Sequence, residues 1–233
     1  MRKLLPLLLI PSILLAYDFS DDFDSYTAGV DLDTTPYWYR YDPCGNFMLA
    51  DDGGDNIVQT DWNGYDIIAY ACFGSAVWSN GSVGGEVSFT GSEAAFGFIA
   101  RVDGSTGEGY AGGIYPAFPP IGATFIAYID DTGDYTILTQ DYYYPMNEGS
   151  TYNVEFIVSD ESPVSLEVKI NGNTNSSVED GTYDLPMGLS GMFAFYESSE
   201  PSFTIDAFFV DDTDDEQSAV VNSSFGEIKA AFH

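Results

Sequence analysis

The sequence predicts an all-β protein folded as an antiparallel sandwich, on three observations. Several runs alternate apolar and polar residues with a period of two, which is typical of strands with one face in a core. Glycine, aspartate and asparagine cluster between these runs, as they do in turns. No stretch of a dozen residues has a clear helical period, so the sequence lacks the crossover helices that parallel strands need.

The clearest strands lie in the second half of the chain. Residues 151–159 and 164–170 each place four apolar side chains on one face, and a turn-like segment at 160–163 joins them. Asn171 and Gly172 form a dipeptide that opens a tight hairpin into a strand at 173–178. We predict further strands at 85–90, 94–102, 110–115, 124–130, 135–140, 191–196 and 202–210, with a hairpin loop at 131–134.

Apolar and polar residues alternate less regularly over residues 30–80, which predicts short strands separated by long loops. Trp62 and Trp78 lie in strand-like contexts within this region, so we expect both in the core. The spacing of the strands along the whole chain favours a sandwich of many short antiparallel strands.

The N-terminus predicts export. Arg2 and Lys3 precede a short apolar run that ends at Ala16, which is the layout of a cleavable signal peptide over residues 1–16. The run is too short to span a bilayer, although a buried N-terminal helix is the alternative. We therefore expect one domain at 17–212 in a secreted, extracellular or cell-surface protein, or in the periplasm.

The net charge of −31 limits the partners. Such a surface repels nucleic acid and anionic membranes, so neither is an expected partner. It attracts divalent cations or keeps a protein soluble in high salt, and simple solubility of an exported protein explains it equally well. No later segment is long and apolar enough to be a transmembrane anchor.

The two cysteines, Cys44 and Cys72, predict one disulfide in an exported chain. On the chain-entropy model it would stabilise the fold by about 3–4 kcal/mol. The single histidine is the terminal His233. This composition excludes a zinc ligand set of the usual kind and a Ser-His-Asp triad.

Residues 213–233 differ from the rest of the chain. An acidic run from Asp211 to Gln217 predicts a flexible linker. Ser224 and Glu227 then form a capping box, and a short amphipathic helix follows at the C-terminus. This tail, at 224–232, is a candidate for self-association or for binding a cell-surface partner.

The order of several motifs resembles a known superfamily. The motifs are Phe19-Ser-Asp-Asp-Phe-Asp24, Phe98-Ile-Ala-Arg-Val102, Gly109-Tyr-Ala-Gly-Gly113, Gly149-Ser-Thr-Tyr152, the strand and hairpin at 164–172, Gly188-Leu-Ser-Gly-Met-Phe-Ala194 and Phe203-Thr-Ile-Asp-Ala-Phe-Phe-Val210. Together they resemble the concanavalin A-like lectin/glucanase superfamily, in its laminin-G-like bacterial branch, over about residues 18–212.

The resemblance implies a jelly-roll sandwich of two antiparallel sheets. It also implies a structural Ca²⁺ shared by the first and last strands, for which Asp21 or Asp22 and Asp206 are the matching ligands. The last strand of the family often carries Asp-Asn, whereas Ala207 follows Asp206 here. Exposed edge charges are the alternative interpretation of Asp21 and Asp22.

The resemblance does not extend to the catalytic motif of the superfamily. Its glycosidases carry two glutamates around an aspartate on one strand, and no such run is present here. Glu86 is a single carboxylate in a strand, and Glu93 lies in a predicted turn. We therefore name no catalytic residue, although a carboxylate pair assembled across strands is not excluded by the sequence.

Glycan binding requires aromatic faces and a few polar groups. The candidates are Trp38, Tyr39 and Tyr41, then Tyr110 and Tyr115, and then the run Tyr142, Tyr143 and Tyr144. A run of three must place some rings on a non-core face, where they either stack on sugars or cover an edge or interface. We expect Arg101 to form a buried or concave-face ion pair with an acidic neighbour, and contact with a ligand hydroxyl is the alternative.

The leading hypothesis is a secreted, non-catalytic carbohydrate-binding or adhesive sandwich whose partner is a polysaccharide or glycan. One alternative is a structural or surface-assembly subunit that uses the tail. The other is a glycoside hydrolase with an atypical carboxylate pair, for which Glu86 is the residue to test.

Overall fold

The computed structural model describes residues 19–40, 46–61, 67–92, 94–118, 120–159, 162–196 and 202–213. These residues form fifteen strands and a short 3₁₀ helix at Leu32–Thr34. In chain order the strands are β1 (Phe19–Asp21), β2 (Trp38–Arg40), β3 (Asn46–Asp51), β4 (Asn56–Asp61), β5 (Ile67–Trp78), β6 (Gly81–Thr90), β7 (Ala94–Val102), β8 (Gly109–Phe118), β9 (Ile121–Ile129), β10 (Tyr135–Pro145), β11 (Tyr152–Ser159), β12 (Val164–Ile170), β13 (Asn173–Asp180), β14 (Gly188–Tyr196) and β15 (Ser202–Asp212).

The strands form two antiparallel sheets. The eight-stranded sheet has the order β13-β12-β11-β6-β15-β4-β3, and β1 also pairs with β15. The seven-stranded sheet has the order β10-β9-β8-β7-β14-β5-β2. The fold is therefore the predicted all-β, two-sheet jelly-roll sandwich, with β10 at one edge of the seven-stranded sheet.

The main core lies between the sheets and is rich in phenylalanine. Phe96 of the seven-stranded sheet stacks on Phe203 of the other sheet, with ring centroids 4.8 Å apart. Phe98 packs on Phe208 with centroids 6.0 Å apart. Aromatic pairs of this kind contribute about 0.5–1.5 kcal/mol beyond the area that they bury. Trp78 is buried in this core, which confirms its prediction.

Every strand predicted beyond residue 80 is present. Strands β7 and β12 have the predicted bounds, while β8, β10 and β13 are longer. The backbone φ angles of Asn171 and Gly172 are 51° and 76°, as a type I′ hairpin turn requires, so the predicted hairpin is confirmed.

The twelve-residue β5 was not predicted. Its sequence, IIAYACFGSAVW, carries apolar residues at consecutive positions and therefore shows no alternation. The strand nevertheless lies inside the sheet, between β14 and β2. The expectation of only short strands over residues 30–80 is corrected here.

Some predictions fall outside the described ranges. The signal peptide at 1–16, Trp62 and the tail beyond Thr213 are among them. Cys72 lies in β5, but Cys44 is outside the described residues, so the disulfide stays a prediction. Within the described ranges, no helix has the length and hydrophobicity that a membrane span requires.

The distance between the sheets depends on a glycine. Gly112 of β8 faces Phe156 of β11 across the core, and a Cβ at residue 112 would collide with the Phe156 ring. No larger side chain fits at this position without displacing that ring.

We expect Gly112→Ala to lower the free energy of unfolding by about 1–3 kcal/mol, because overpacking forces the sheets apart. Gly181→Ala is the matched control, since its Cβ would meet only Pro163, at 3.8 Å. Denaturant unfolding followed by fluorescence measures both variants. Equal midpoints for the two would contradict the close contact at Gly112.

Candidate functional site

The seven-stranded sheet has a second apolar cluster on the face that points away from the eight-stranded sheet. Neighbouring residues of one strand divide between the two faces: Ile126 lies in the main core, and Phe125 lies in the second cluster. The buried members of this outer cluster are Ile99, Val102, Ala111, Phe125, Ala127, Ile129, Leu189 and Phe193. The sheet is therefore apolar on both faces.

A cleft of about 190 Å³ opens over the outer cluster, and we call it the outer cleft. Its floor contains the buried Phe125, Ala127 and Phe193. Tyr142 and Ile137 of β10 stand at its rim and are 53% and 42% exposed. The remaining lining residues are Ala95, Tyr115, Tyr135, Gln140 and Phe195.

The edge strand β10 separates the three predicted tyrosines. Its pairing with β9 shifts register between Ile137 and Thr139 and again between Tyr142 and Tyr144. Tyr143, at the second bulge, has a φ of 81° and is 83% exposed. Because a bulge interrupts the alternation of faces, Tyr142 lines the outer cleft, Tyr143 does not, and Tyr144 packs against the main core.

The polar groups of the outer cleft are tyrosine hydroxyls and one amide. The Tyr142 hydroxyl donates to Oε1 of Gln140 at 2.9 Å. The NH₂ group of Gln140 takes no part in this bond and carries two donors. Tyr135 packs edge-on against Phe195, with ring centroids 4.9 Å apart. The cleft thus combines aromatic surface with a few neutral hydrogen-bonding groups.

None of the described residues that line the outer cleft is charged, although the chain holds 37 Asp and Glu residues. Glycoside hydrolysis by the usual mechanisms needs two carboxyl groups that flank the scissile bond. Glu86 is exposed on the outward face of β6, in the eight-stranded sheet on the other side of the sandwich. The described part of the cleft therefore offers no catalytic carboxylate pair.

Trp38 was predicted to bind ligand, and the structure corrects this. Its side chain is fully buried, with the ring edge-on to Phe208 at a centroid distance of 4.8 Å. Its indole N–H donates to Oδ2 of Asp21 at 2.9 Å. A ring with no accessible face cannot stack on a sugar, so Trp38 is a core residue.

Asp21 is the acceptor at the centre of a buried cluster. Its Oδ1 accepts the Phe23 backbone N–H at 2.9 Å, and its Oδ2 also accepts the Tyr26 hydroxyl at 2.7 Å. Burial, together with the bond to Asp21, raises the pKa of Tyr26, so this hydroxyl stays a donor. Calcium requires six to eight oxygen ligands. Protein donors engage both oxygens of Asp21, so Asp21 has a structural role without a metal, and calcium at Asp21 stays a prediction.

The other two predicted calcium ligands, Asp22 and Asp206, are exposed. They lie close to Asp55, whose pKa is raised by a side-chain hydrogen bond with Asp24 and then by the charge of Asp206. In the described part of the chain, no group of three or more potential ligand side chains is arranged to hold a metal ion. Calcium at Asp22 and Asp206 stays a prediction.

Arg101 was predicted to meet an acidic neighbour or a ligand, and the structure buries it completely. Its Nε donates to the Ser79 carbonyl at 2.8 Å, and its Nη1 donates to the Leu185 carbonyl at 2.6 Å. Nη2 donates to the side-chain oxygen of Asn80 at 3.3 Å. A guanidinium without accessible surface cannot contact a ligand, so the predicted ligand role is wrong.

Tyr110, also predicted to bind ligand, is fully buried and belongs to the same end of the sandwich. Its hydroxyl donates to Oδ2 of Asp180 at 2.7 Å and accepts the Leu185 N–H at 3.4 Å. Arg101 and Tyr110 therefore anchor the loop at 180–185 to the sheets, and neither reaches the outer cleft. Of the predicted ligand residues, Tyr142 and Tyr115 line that cleft, whereas Tyr41 and the side chain of Tyr39 lie outside the description.

The sequence interpretation missed most of the cleft, including Phe125, Phe193, Tyr135, Ile137 and Gln140. The available signal was the run Ala123–Ile129, where only Thr124 interrupts the apolar residues. Such a run indicates a strand covered on both faces.

We expect Asp21→Ala to lower the free energy of unfolding by about 1–3 kcal/mol, because it leaves the buried Trp38 N–H and Tyr26 hydroxyl without their acceptor. Asp22→Ala removes the same charge at an exposed position and is expected to change stability by less than about 0.5 kcal/mol. Thermal unfolding by circular dichroism measures both. Equal melting temperatures for the two variants would contradict the structural role of Asp21.

Asp180 should make stability depend on pH. Burial raises the pKa of this carboxyl, but the bonds from Tyr110 and from the N–H groups of residues 182–184 outweigh burial, so the pKa is lowered overall. Its contribution is present above the unfolded pKa of about 4 and is lost as the pH falls through the folded value. The stability difference between the wild type and Asp180→Asn should therefore shrink below about pH 4.

Urea unfolding at a series of pH values measures this difference. Glu179→Gln, at an exposed neighbouring position, controls for the removal of one negative charge. A difference between the wild type and Asp180→Asn that stays constant from neutral pH to acid would contradict the assignment.

Comparison with known proteins finds similar structures. No family model matches the chain, and no curated protein matches it significantly in sequence. The chain is similar to the beta-glucanase of Bacillus licheniformis, with a TM-score of 0.55 and 11% identity over 84% of this chain and 99% of that chain. It is similar to LamA of Z. galactanivorans, crystallised with laminaritriose and laminaritetraose, with a TM-score of 0.53 and 11% identity over 84% and 99% of the two chains.

A legume lectin-like domain from Entamoeba histolytica is also similar, with a TM-score of 0.51 and 11% identity over 76% of this chain and 90% of that chain. These likenesses confirm the predicted concanavalin A-like lectin/glucanase fold. At this level of identity they establish the fold alone.

Proposed function

We propose that this protein is a secreted, non-catalytic carbohydrate-binding sandwich that binds a glycan in the outer cleft. The observation that carries the proposal is the cleft itself, with a buried apolar floor, aromatic walls and a few neutral hydrogen-bonding groups. Ligand sites in proteins commonly combine apolar and aromatic lining with a small number of polar groups that fix orientation.

The chemistry of sugars suits this lining. A pyranose ring has an apolar C–H face that stacks on an aromatic ring, and hydroxyl groups at its rim that exchange hydrogen bonds. Tyr142 combines an exposed ring with a hydroxyl, and Gln140 adds amide donors beside it. The pair would therefore contact both parts of a sugar.

The similar structures support this proposal through the fold. A beta-glucanase, a legume lectin-like domain and LamA share the sandwich, and LamA was crystallised with laminaritriose and laminaritetraose. The non-catalytic part of the proposal rests on the absence of charged side chains among the described lining residues, since hydrolysis would need a carboxylate pair there. The secreted location rests on the predicted signal peptide at 1–16.

We expect Tyr142→Ala to weaken binding to a soluble glycan about tenfold, equivalent to about 1.4 kcal/mol, because it removes a wall of the cleft. Tyr143→Ala is the matched control, since it deletes a neighbouring tyrosine outside the cleft. Affinity electrophoresis of the mature protein in gels that contain laminarin, mixed-linkage β-glucan or xylan measures both. Equal loss in the two variants would contradict the cleft as the site.

Reducing-sugar release from the same polysaccharides tests the non-catalytic role. We expect none from the wild type. Release that Glu86→Gln abolishes would favour the hydrolase alternative and would place its site on the opposite sheet.

A further inference from the structure

We infer that the outer cleft selects uncharged glycans and excludes polyanionic ones, such as polysaccharides rich in carboxylate or sulfate. This inference rests on the proposed function and specifies the class of ligand for that same site. Three features carry it: the donors in the cleft, the placement of the cations and the charge around the cleft.

The donors in the cleft are neutral. Its described lining contains no lysine, arginine or histidine, and the hydrogen-bonding groups are tyrosine hydroxyls and the Gln140 amide. A carboxylate or sulfate that leaves water needs charge-assisted bonds to offset its desolvation. A sugar hydroxyl is satisfied by neutral partners of the kind present.

The two cations whose side chains the structure describes, Arg101 and Lys169, lie elsewhere. Arg101 is buried and donates to carbonyl groups at the end of the sandwich. Lys169 lies on β12 of the eight-stranded sheet, directly opposite Glu155 of β11, and alternates with the core residues of its strand. It therefore points outward on the far side of the molecule from the cleft.

The exposed charged residues of β10 and of the turn before it are acidic. Asp141 is exposed and follows Gln140 on β10, and the turn that leads into β10 holds the exposed Asp131 and Asp134. With six Lys and Arg against 37 Asp and Glu in the whole chain, the surface field repels a polyanion that approaches. The repulsion extends over a Debye length, about 10 Å at 0.1 M salt.

The experiment compares neutral and anionic probes on the mature protein. Affinity electrophoresis with laminarin, mixed-linkage β-glucan, xylan, alginate and a sulfated galactan is run at about 0.02 M and about 0.5 M salt, for the wild type, Tyr142→Ala and Tyr143→Ala. We expect a neutral probe to bind with less than about a twofold change between the two salt concentrations, since no ion pair is involved. We expect Tyr142→Ala alone to weaken it.

The outcomes separate the two proposals. Binding of alginate or the sulfated galactan that Tyr142→Ala weakens would overturn the selectivity inferred here while leaving the glycan-binding function intact. Failure of every probe to bind under either condition would overturn the proposed function, and the inferred selectivity with it.

Discussion

The constraint on which the site depends is a sheet with two apolar faces. Strands β7, β9 and β14 carry apolar residues at consecutive positions, so one set of side chains fills the main core and the alternate set forms the outer cluster. A large apolar surface on a soluble protein needs a cover or a function. The long edge strand β10 lies beside this second face, and side chains of both form a cleft with a buried floor and an exposed aromatic rim.

Two of the chain's aspartates, Asp21 and Asp180, are buried, and hydrogen bonds to their carboxylates stabilise both. Asp21 is buried because Trp38 and Tyr26 donate to it, and Asp180 is buried because Tyr110 and backbone N–H groups donate to it. A buried carboxylate is tolerated only when its oxygens are hydrogen-bonded. Trp38 and Tyr110, which are fully buried beside these carboxylates, therefore hold the sandwich together.

The sequence predicted the fold better than the site, for a physical reason. Strands such as β11 and β12 alternate visibly because one face meets the core and the other meets water. Strand β5 has no alternation and was missed, as were the residues of the outer cleft on β9. Trp38 and Tyr142 look equally suitable as ligand contacts in the sequence. They differ only in the surroundings that the fold gives each ring. Trp38 packs on Phe208, which is far away in the chain, whereas the orientation of Tyr142 depends on a bulge in β10.

The two bulges of β10 have a consequence for behaviour at high concentration. An edge strand of eleven residues presents backbone donors and acceptors that another molecule can extend into a continuous ladder. The register shifts at Ile137–Thr139 and Tyr142–Tyr144 break that template into short pieces of incompatible spacing. The local irregularity that turns Tyr142 toward the cleft therefore also guards the molecule against polymerisation by strand addition.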